Sequence, residues 1–226
     1  MVVPRHLRLD LSKQRLHDLD GHEDLVSKKE PLEYVELDVS QNALSSKGLQ
    51  QAMHVCSRCS KMEVVKLFKN QLGDDCISDL IALLERCRSL KELHLSHNRL
   101  SREGLTHLVK EASYARPKGE PLWLRVEYNS LPDPRDFLRE MEKRYSVCPR
   151  RPGCTQFSCC VSAKIHLPFL DVGREKYEKN SGDWSRIFLK APRVKLVEKP
   201  PPADSERSPH EAPRDSRSRS RSRSRS

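Results

Sequence analysis

The chain has 226 residues, of which 36% are hydrophobic and 33% are charged, so part of it is predicted to stay outside any packed core. The net charge of +10 favours an acidic partner, with nucleic acid first, and half of it comes from five arginines in the last ten residues. Because no run approaches about eighteen consecutive apolar residues, we expect neither a membrane span nor a secretory signal.

A pattern of leucines recurs through the first two thirds of the chain. Written L-x-x-L-x-L-x-x-N-x-L, the pattern is complete from Leu90 to Leu100. Apolar and polar residues alternate within it, which predicts a short strand with one buried face. The asparagine position of the pattern (the Asn slot) follows the strand. There a side-chain amide can form hydrogen bonds with backbone groups that the turn leaves unpaired. Four further copies, with Gln14 in the first Asn slot, span residues 6–16, 34–44, 62–72 and 121–131.

The segments between these strands are predicted to be helices. In residues 45–53, 74–84 and 101–109, capping residues or acids come first, and apolar residues follow three and four positions apart. The last leucines of the five copies are 28, 28, 28 and 31 residues apart. One strand and one helix therefore alternate with a nearly constant period.

This period, with a full helix in each unit, resembles the ribonuclease-inhibitor-like class of leucine-rich repeats. The resemblance covers residues 5–145 and implies an α/β horseshoe of about five repeats, with parallel inner strands and outer helices. A second resemblance rests on residues 121–129, the cysteines after them and the sequence His-Leu-Pro-Phe at 166–169. These features look like the leucine-rich modules that precede PIN-type RNA nuclease domains, although the sequence shows no acidic nuclease constellation.

Three segments are predicted from the change in composition along the chain. Residues 1–145 form the repeat domain, closed by a helix from Arg135 to Tyr145 that begins after a proline. Residues 146–198 form a cysteine-containing extension that we expect to be partly ordered. Residues 199–226 are rich in proline, serine and charge, which predicts disorder.

The inner face consists of the strand positions that alternate with the buried leucines, together with the turn residues that follow them. Its first two strands carry acids, and its last three are expected to gather basic and aromatic side chains in the open. Exposed aromatic residues beside Arg and Lys suit a protein partner, with stacking on RNA bases as the alternative. The predicted contact residues are Lys66, Phe68, Lys69, His94, His97, Trp123, Arg125 and Tyr128.

Serine and arginine alternate in the last eleven residues. Arginine binds phosphate through paired hydrogen bonds, and each phosphoserine adds about −1.5 to −2 charges, so phosphorylation would make this tail acidic. The tail resembles the arginine/serine-rich domains of splicing-related proteins. That resemblance implies a nuclear location, with the cytoplasm as a second one, a Ser-Arg-directed kinase, and contact with RNA or similar tails. The residues concerned are Ser216, Arg217, Ser218, Arg219, Ser220, Arg221, Ser222, Arg223, Ser224 and Arg225.

Two groups of cysteines were candidates for chemistry, and we expect all of these thiols to be reduced because no secretory signal is seen. Soft ligands cluster in the extension, but they do not form the two C-x2–4-C pairs of common zinc sites, so thiols packed against the last repeat are predicted. They are Cys148, Cys154, Cys159, Cys160 and His166. Cys56 and Cys59 form a lone C-x-x-C near a predicted helix end, where core packing, as for Cys87, explains them better than redox chemistry.

No set of catalytic residues is apparent in the sequence. It has no glycine-rich phosphate loop, no G-x-S-x-G and no H-E-x-x-H. We therefore predict a non-enzymatic adaptor that binds a protein on its inner face, without a cofactor, a metal, a small-molecule substrate or a membrane. Direct RNA binding and regulation or inhibition of an enzyme are the two alternatives.

Overall fold

The computed structural model describes residues 4–27, 29–117 and 120–170. Each leucine-rich unit contributes one short strand, and two further strands follow in the extension. All neighbouring strands are parallel, and their order across the sheet is β1-β2-β3-β4-β5-β7-β6. The strands are β1 (Arg8–Asp10), β2 (Glu36–Asp38), β3 (Val64–Lys66), β4 (Glu92–His94), β5 (Leu122–Arg125), β6 (Val147–Cys148) and β7 (Ile165–His166).

Helices lie between the strands of successive repeats. Their lengths differ, since the first has a single turn and the fourth has fourteen residues. Short 3-10 helices precede β1, at Arg5–Leu7, and α3, at Asp74–Cys76. The α-helices are α1 (Glu23–Val26), α2 (Ser46–Ser57), α3 (Ile77–Arg86), α4 (Arg102–Ala115) and α5 (Pro134–Arg144). No helix in the described ranges has the length and apolar character needed to span a membrane.

Side-chain caps mark the starts of α2, α4 and α5, whereas α1 and α3 have none. The hydroxyl groups of Ser45 and Ser101 each accept a hydrogen bond from the backbone three residues on, at the N-cap positions of α2 and α4. Asp133 caps α5 in the same way, and Pro134 occupies the first turn, where a missing N–H costs nothing. The predicted closing helix is therefore confirmed.

The hydrophobic core lies between the sheet and the helices. Neighbouring strands are in register at the repeat period, so Leu37, Val65 and Leu93 align and are at most 1% exposed. The amphipathic helices α2, α3 and α4 bury their apolar faces against this row. The predicted α/β horseshoe architecture of parallel inner strands and outer helices is confirmed.

A ladder of asparagines holds successive repeats together. The Asn98 amide donates to the carbonyl groups of Leu67 and Leu95, each at 3.0 Å, and accepts from the N–H of Leu72 at 3.2 Å. Asn42, Asn70 and Asn129 make equivalent bonds in their own repeats. Each amide thus satisfies backbone groups of two adjacent repeats, as its place after the strand predicted.

The extension completes the sheet in an unexpected order. The chain leaves the end of β6 and returns as β7, which lies between β5 and β6. This connection moves backward across the sheet, whereas the connections between the repeats move forward. Its cysteines and Arg150 lie on the inner face, opposite the helices. Compared with the connections between repeats, this one is reversed both in its direction across the sheet and in the face over which it passes. The two changes together preserve the handedness of a parallel crossover.

Candidate functional site

Two rows of side chains run across the inner face. Residues that are paired in register point to the same side of a sheet, so each row follows from the strand pairing. The first row contains Arg8, Glu36, Val64, Glu92, Trp123 and His166. The second row contains Asp10, Asp38, Lys66, His94 and Arg125.

Ion pairs join the first three strands. The Arg8 guanidinium contacts the carboxylates of Glu36 at 3.1 Å and Asp38 at 3.0 Å. The Lys66 ammonium group lies 2.6 Å from the Glu36 carboxylate. The Glu36 and Asp38 side chains are only 8% and 7% exposed, so they need these cations close by.

Two of the predicted basic side chains on the last strands lie beside carboxylates. His94 Nε2 lies 3.0 Å from a Glu92 carboxylate oxygen, and Arg125 Nε donates to Glu127 at 2.9 Å. Glu92 and His94 are two residues apart on β4, which places them on the same face, and Glu127 lies in the turn two residues after Arg125, the last residue of β5. His94 and Glu127 are also buried. The positive charge of Arg125 is therefore matched locally by a carboxylate.

Trp123 was expected to be exposed, but it is buried at 6% exposure. The extension covers it. The Arg150 guanidinium carbon lies 5.4 Å from the centre of its ring, and the His166 and Phe169 rings meet it edge-on at 5.9 and 6.2 Å. Phe169 also lies 5.1 Å from the Arg125 guanidinium carbon. Trp123 thus joins β5 to the extension.

The remaining predicted residues lie mainly along the turns that follow the strands. We use the name turn ridge for Phe68, Lys69, His97 and Tyr128, all of which are half-buried. Lys69, His97 and Tyr128 have φ angles of 55°, 59° and 61°, and the corresponding residues of the first two repeats share this conformation. The His97 and Tyr128 rings are 4.4 Å apart, so neighbouring repeats form a continuous surface.

The loop between β6 and β7 extends farther over the inner face. Phe157 in this loop is 37% exposed. It lines a cavity of about 70 Å³ beside β2, β3 and β4. The other lining residues are Glu36, Glu63, Val64, Lys66, Lys91 and Glu92. The extension therefore contributes to the same surface as the repeats, although the composition of the chain predicted two separate segments.

The structure separates the two cysteine groups. Cys56, Cys59 and Cys87 are at most 5% exposed, and burial raises the pKa of each thiol, that of Cys59 to about 11. These thiols behave as the predicted core residues. In the extension, Cys148 is buried, but Cys154 and Cys159 are half-buried and Cys160 is exposed, so simple packing in the last repeat does not describe them.

Four extension side chains can approach one ion. The ligand atoms of Cys148, Cys154, Cys159 and His166 all lie within 4.8 Å of one another. The sequence contains these residues as soft ligands, with Cys154 and Cys159 as one close pair, but it has no second close pair. The missing signal was the strand pairing, because Cys148 on β6 is the register partner of His166 on β7.

The Ser-Arg tail, from Ser216 to Arg225, lies outside the described residues, as do the predicted disordered segment and all of the extension after residue 170. Its predicted phosphorylation and contacts stay predictions.

A family model described as Leucine Rich repeat matches residues 86–109. This span contains the end of α3, all of β4 and the first part of α4, which is the copy whose leucine pattern is complete. Repeats of this kind generally mediate protein–protein interaction. Five successive strand units stacked in register and joined by an asparagine ladder have the architecture of leucine-rich repeats, and the matched unit is similar to that family in sequence.

Proposed function

We propose that this protein is a non-enzymatic scaffold that binds a protein partner through its inner face and turn ridge. The observation that carries the proposal is the turn ridge itself, where aromatic and basic side chains from three repeats stay half-exposed beside a row of paired charges. Aromatic residues with such partial exposure are common hot spots of protein interfaces. The rigid stack of repeats holds them in place before binding, which lowers the entropic cost of association.

The charges of the inner face favour a protein over RNA. RNA affinity depends on lysine and arginine that meet phosphates. Here Arg8, Lys66 and Arg125 already contact carboxylates. Asp10, Glu92 and the other acids of the face would repel a phosphate backbone. A protein surface carrying both signs of charge can exchange these ion pairs instead.

The proposal includes a nuclear location and a link to RNA processing through the Ser-Arg tail, with the cytoplasm as a second location. The strict alternation of serine and arginine in residues 216–226 supports it. A Ser-Arg-directed kinase would then control the charge of the tail. We also assign the repeats to the ribonuclease-inhibitor-like class, which the 28-residue spacing and the helices α2, α3 and α4 support.

The test of the surface uses aromatic substitutions on opposite sides of the molecule. Partners are first captured from nuclear extract with the full chain and identified. Phe68→Ala with Tyr128→Ala should weaken binding of the main partner by about 30-fold or more, the loss typical of one hot spot. Tyr114→Ala is the matched control, because Tyr114 is 67% exposed on α4, away from the inner face. If the double variant and Tyr114→Ala weaken binding equally, or if neither weakens it, the turn ridge is not the binding surface.

A second arm of the experiment separates protein from RNA. The capture is repeated after the extract has been treated with RNase. A partner bound through the repeats should be retained after this treatment and after deletion of residues 216–226. Loss of every partner with RNase would refute the proposal and favour direct RNA binding.

A further inference from the structure

The strand pairing of the extension places two metal-binding side chains next to each other. Cys148 on β6 and His166 on β7 are register partners in a parallel pair, so both project from the inner face. Both are fully buried. A thiol and an imidazole are therefore held on two adjacent rigid strands, which position ligands more accurately than loops do.

The connecting loop brings two more sulfur atoms to this pair. Cys154 Sγ lies 3.9 Å from Cys148 Sγ and 3.9 Å from Cys159 Sγ. Zinc–thiolate bonds of about 2.3 Å at tetrahedral angles would separate two sulfur ligands by roughly 3.8 Å. With the four ligand atoms of the set within 4.8 Å of one another, the observed spacing leaves room for one ion, and thiolates this close cannot enclose an iron–sulfur cluster.

The histidine of this group lacks the partners that a buried imidazole needs. Neither ring nitrogen of His166 makes a hydrogen bond of standard geometry within the described part of the chain, although both are buried. The backbone of Gln156 lies near the His166 ring. A metal on one nitrogen and this backbone near the other would resolve the deficit, as in many metal sites.

A backbone N–H group also points at one of the sulfur atoms. The Cys160 N–H donates to Cys154 Sγ at 3.4 Å. Such donors stabilise thiolates and orient them in metal sites.

We propose that Cys148, Cys154, Cys159 and His166 bind one Zn²⁺ ion in a closed, four-coordinate structural site. Three thiolates and one imidazole form a donor set typical of structural zinc. Because four protein ligands fill the coordination sphere, the ion has no open position for catalysis. Its role is to join β6, β7 and their connecting loop, and so to hold Arg150 over Trp123. The argument for this zinc site is independent of the proposed binding of a protein partner.

Cys160 provides a matched control for the ligand assignment. Its sulfur lies 3.3 Å from Cys154 Sγ, but it is exposed and is not a member of the four-ligand set. Cys160→Ser should therefore retain zinc, whereas Cys159→Ser, one residue away, should lose it. If Cys160→Ser loses the metal and Cys159→Ser retains it, the assignment is wrong.

The experiment uses the full chain purified under reducing conditions and measures its metal content by mass spectrometry. One equivalent of zinc per chain is expected. Replacing the zinc with Co²⁺ should give the intense visible absorption of a tetrahedral ion and a thiolate charge-transfer band. His166→Cys keeps four ligands, so it should still bind Co²⁺ with a spectrum shifted toward that of four thiolates, which tests the site even if Cys159→Ser does not fold. A folded, fully reduced wild-type chain that contains no metal and gives no Co²⁺ spectrum would overturn the proposal.

Discussion

The Arg150 guanidinium carbon lies 5.4 Å from the centre of the Trp123 ring, so that a side chain of the extension covers an aromatic residue of the last repeat. Arg150 has a φ angle of 65° and follows the first cysteine of the extension by two residues. The cover over Trp123 therefore depends on the conformation of the connecting loop. A partner that binds the inner face meets Arg150 and Phe157 in addition to the repeats.

The first prediction concerns the burial of Trp123. In a Trp184→Phe background, which leaves Trp123 as the sole indole, the emission should be blue-shifted and weakly quenched by acrylamide. Arg150→Ala should increase quenching, because it removes a cation–π contact and opens the ring to water. Arg151→Ala is the control, since Arg151 pairs with Glu142 on the surface. Equal quenching in the two variants would contradict the described packing.

The second prediction compares two residues in the same slot of the repeat pattern. Asn98→Ala leaves the buried N–H of Leu72 without its acceptor and removes one of the two amide donors from the carbonyl groups of Leu67 and Leu95. The free energy of unfolding should fall by at least about 2 kcal/mol. Gln14→Ala should change it by less than about 0.5 kcal/mol, because Gln14 is exposed. Urea denaturation of both variants provides the measurement, and similar losses would argue against the ladder.

The third prediction concerns the close approach of the first two repeats at Gly48. A Cβ atom there would lie 2.5 Å from the His17 carbonyl oxygen and 2.9 Å from the Asp18 Cα. Gly48→Ala should therefore destabilise the fold by about 1–3 kcal/mol, even though alanine favours helix more than glycine does. Gly21→Ala is the control, because nothing lies within 4 Å of its Cβ position. A Gly48→Ala variant as stable as the wild type would contradict this packing.

The fourth prediction concerns the pH dependence of the contact between α4 and α5. Arg102 lies 2.8 Å from an Asp136 oxygen and 2.6 Å from a Glu140 oxygen, and these hydrogen bonds lower the pKa of both carboxyls below their usual values of 3.8 and 4.5. A lowered folded-state pKa stabilises the fold above the usual value, and this contribution is lost as the pH falls.

Melting temperatures of Arg102→Ala and the wild type should thus differ most near pH 7 and converge below about pH 4. A small difference that does not depend on pH should persist, because Arg102 also lies over the Phe137 ring. High salt at pH 7 should reduce the difference, since these charges are near the surface. A constant difference from pH 7 to pH 3 would rule out the electrostatic origin.

Much of the fold was predictable because its repeat is local. The alternation around Leu93 and Leu95 predicted the strand, and the 28-residue spacing predicted the parallel register. The serine caps of α2 and α4, the proline that starts α5 and the asparagine ladder also followed from residues close in sequence. In each case the interaction is formed within one repeat or between neighbouring repeats.

The features of the inner face depended on contacts that the spacing does not encode. The sequence placed Trp123 among exposed residues, but a loop that begins more than twenty residues later covers it. The sequence identified soft ligands in the extension, but only the insertion of β7 between β5 and β6 made His166 the neighbour of Cys148. The repeat pattern by itself determined the scaffold, because units with the same apolar positions pack against one another in the same register. The tertiary structure decided the surface, because burial, ion pairing and ligand grouping depend on which segments meet in space.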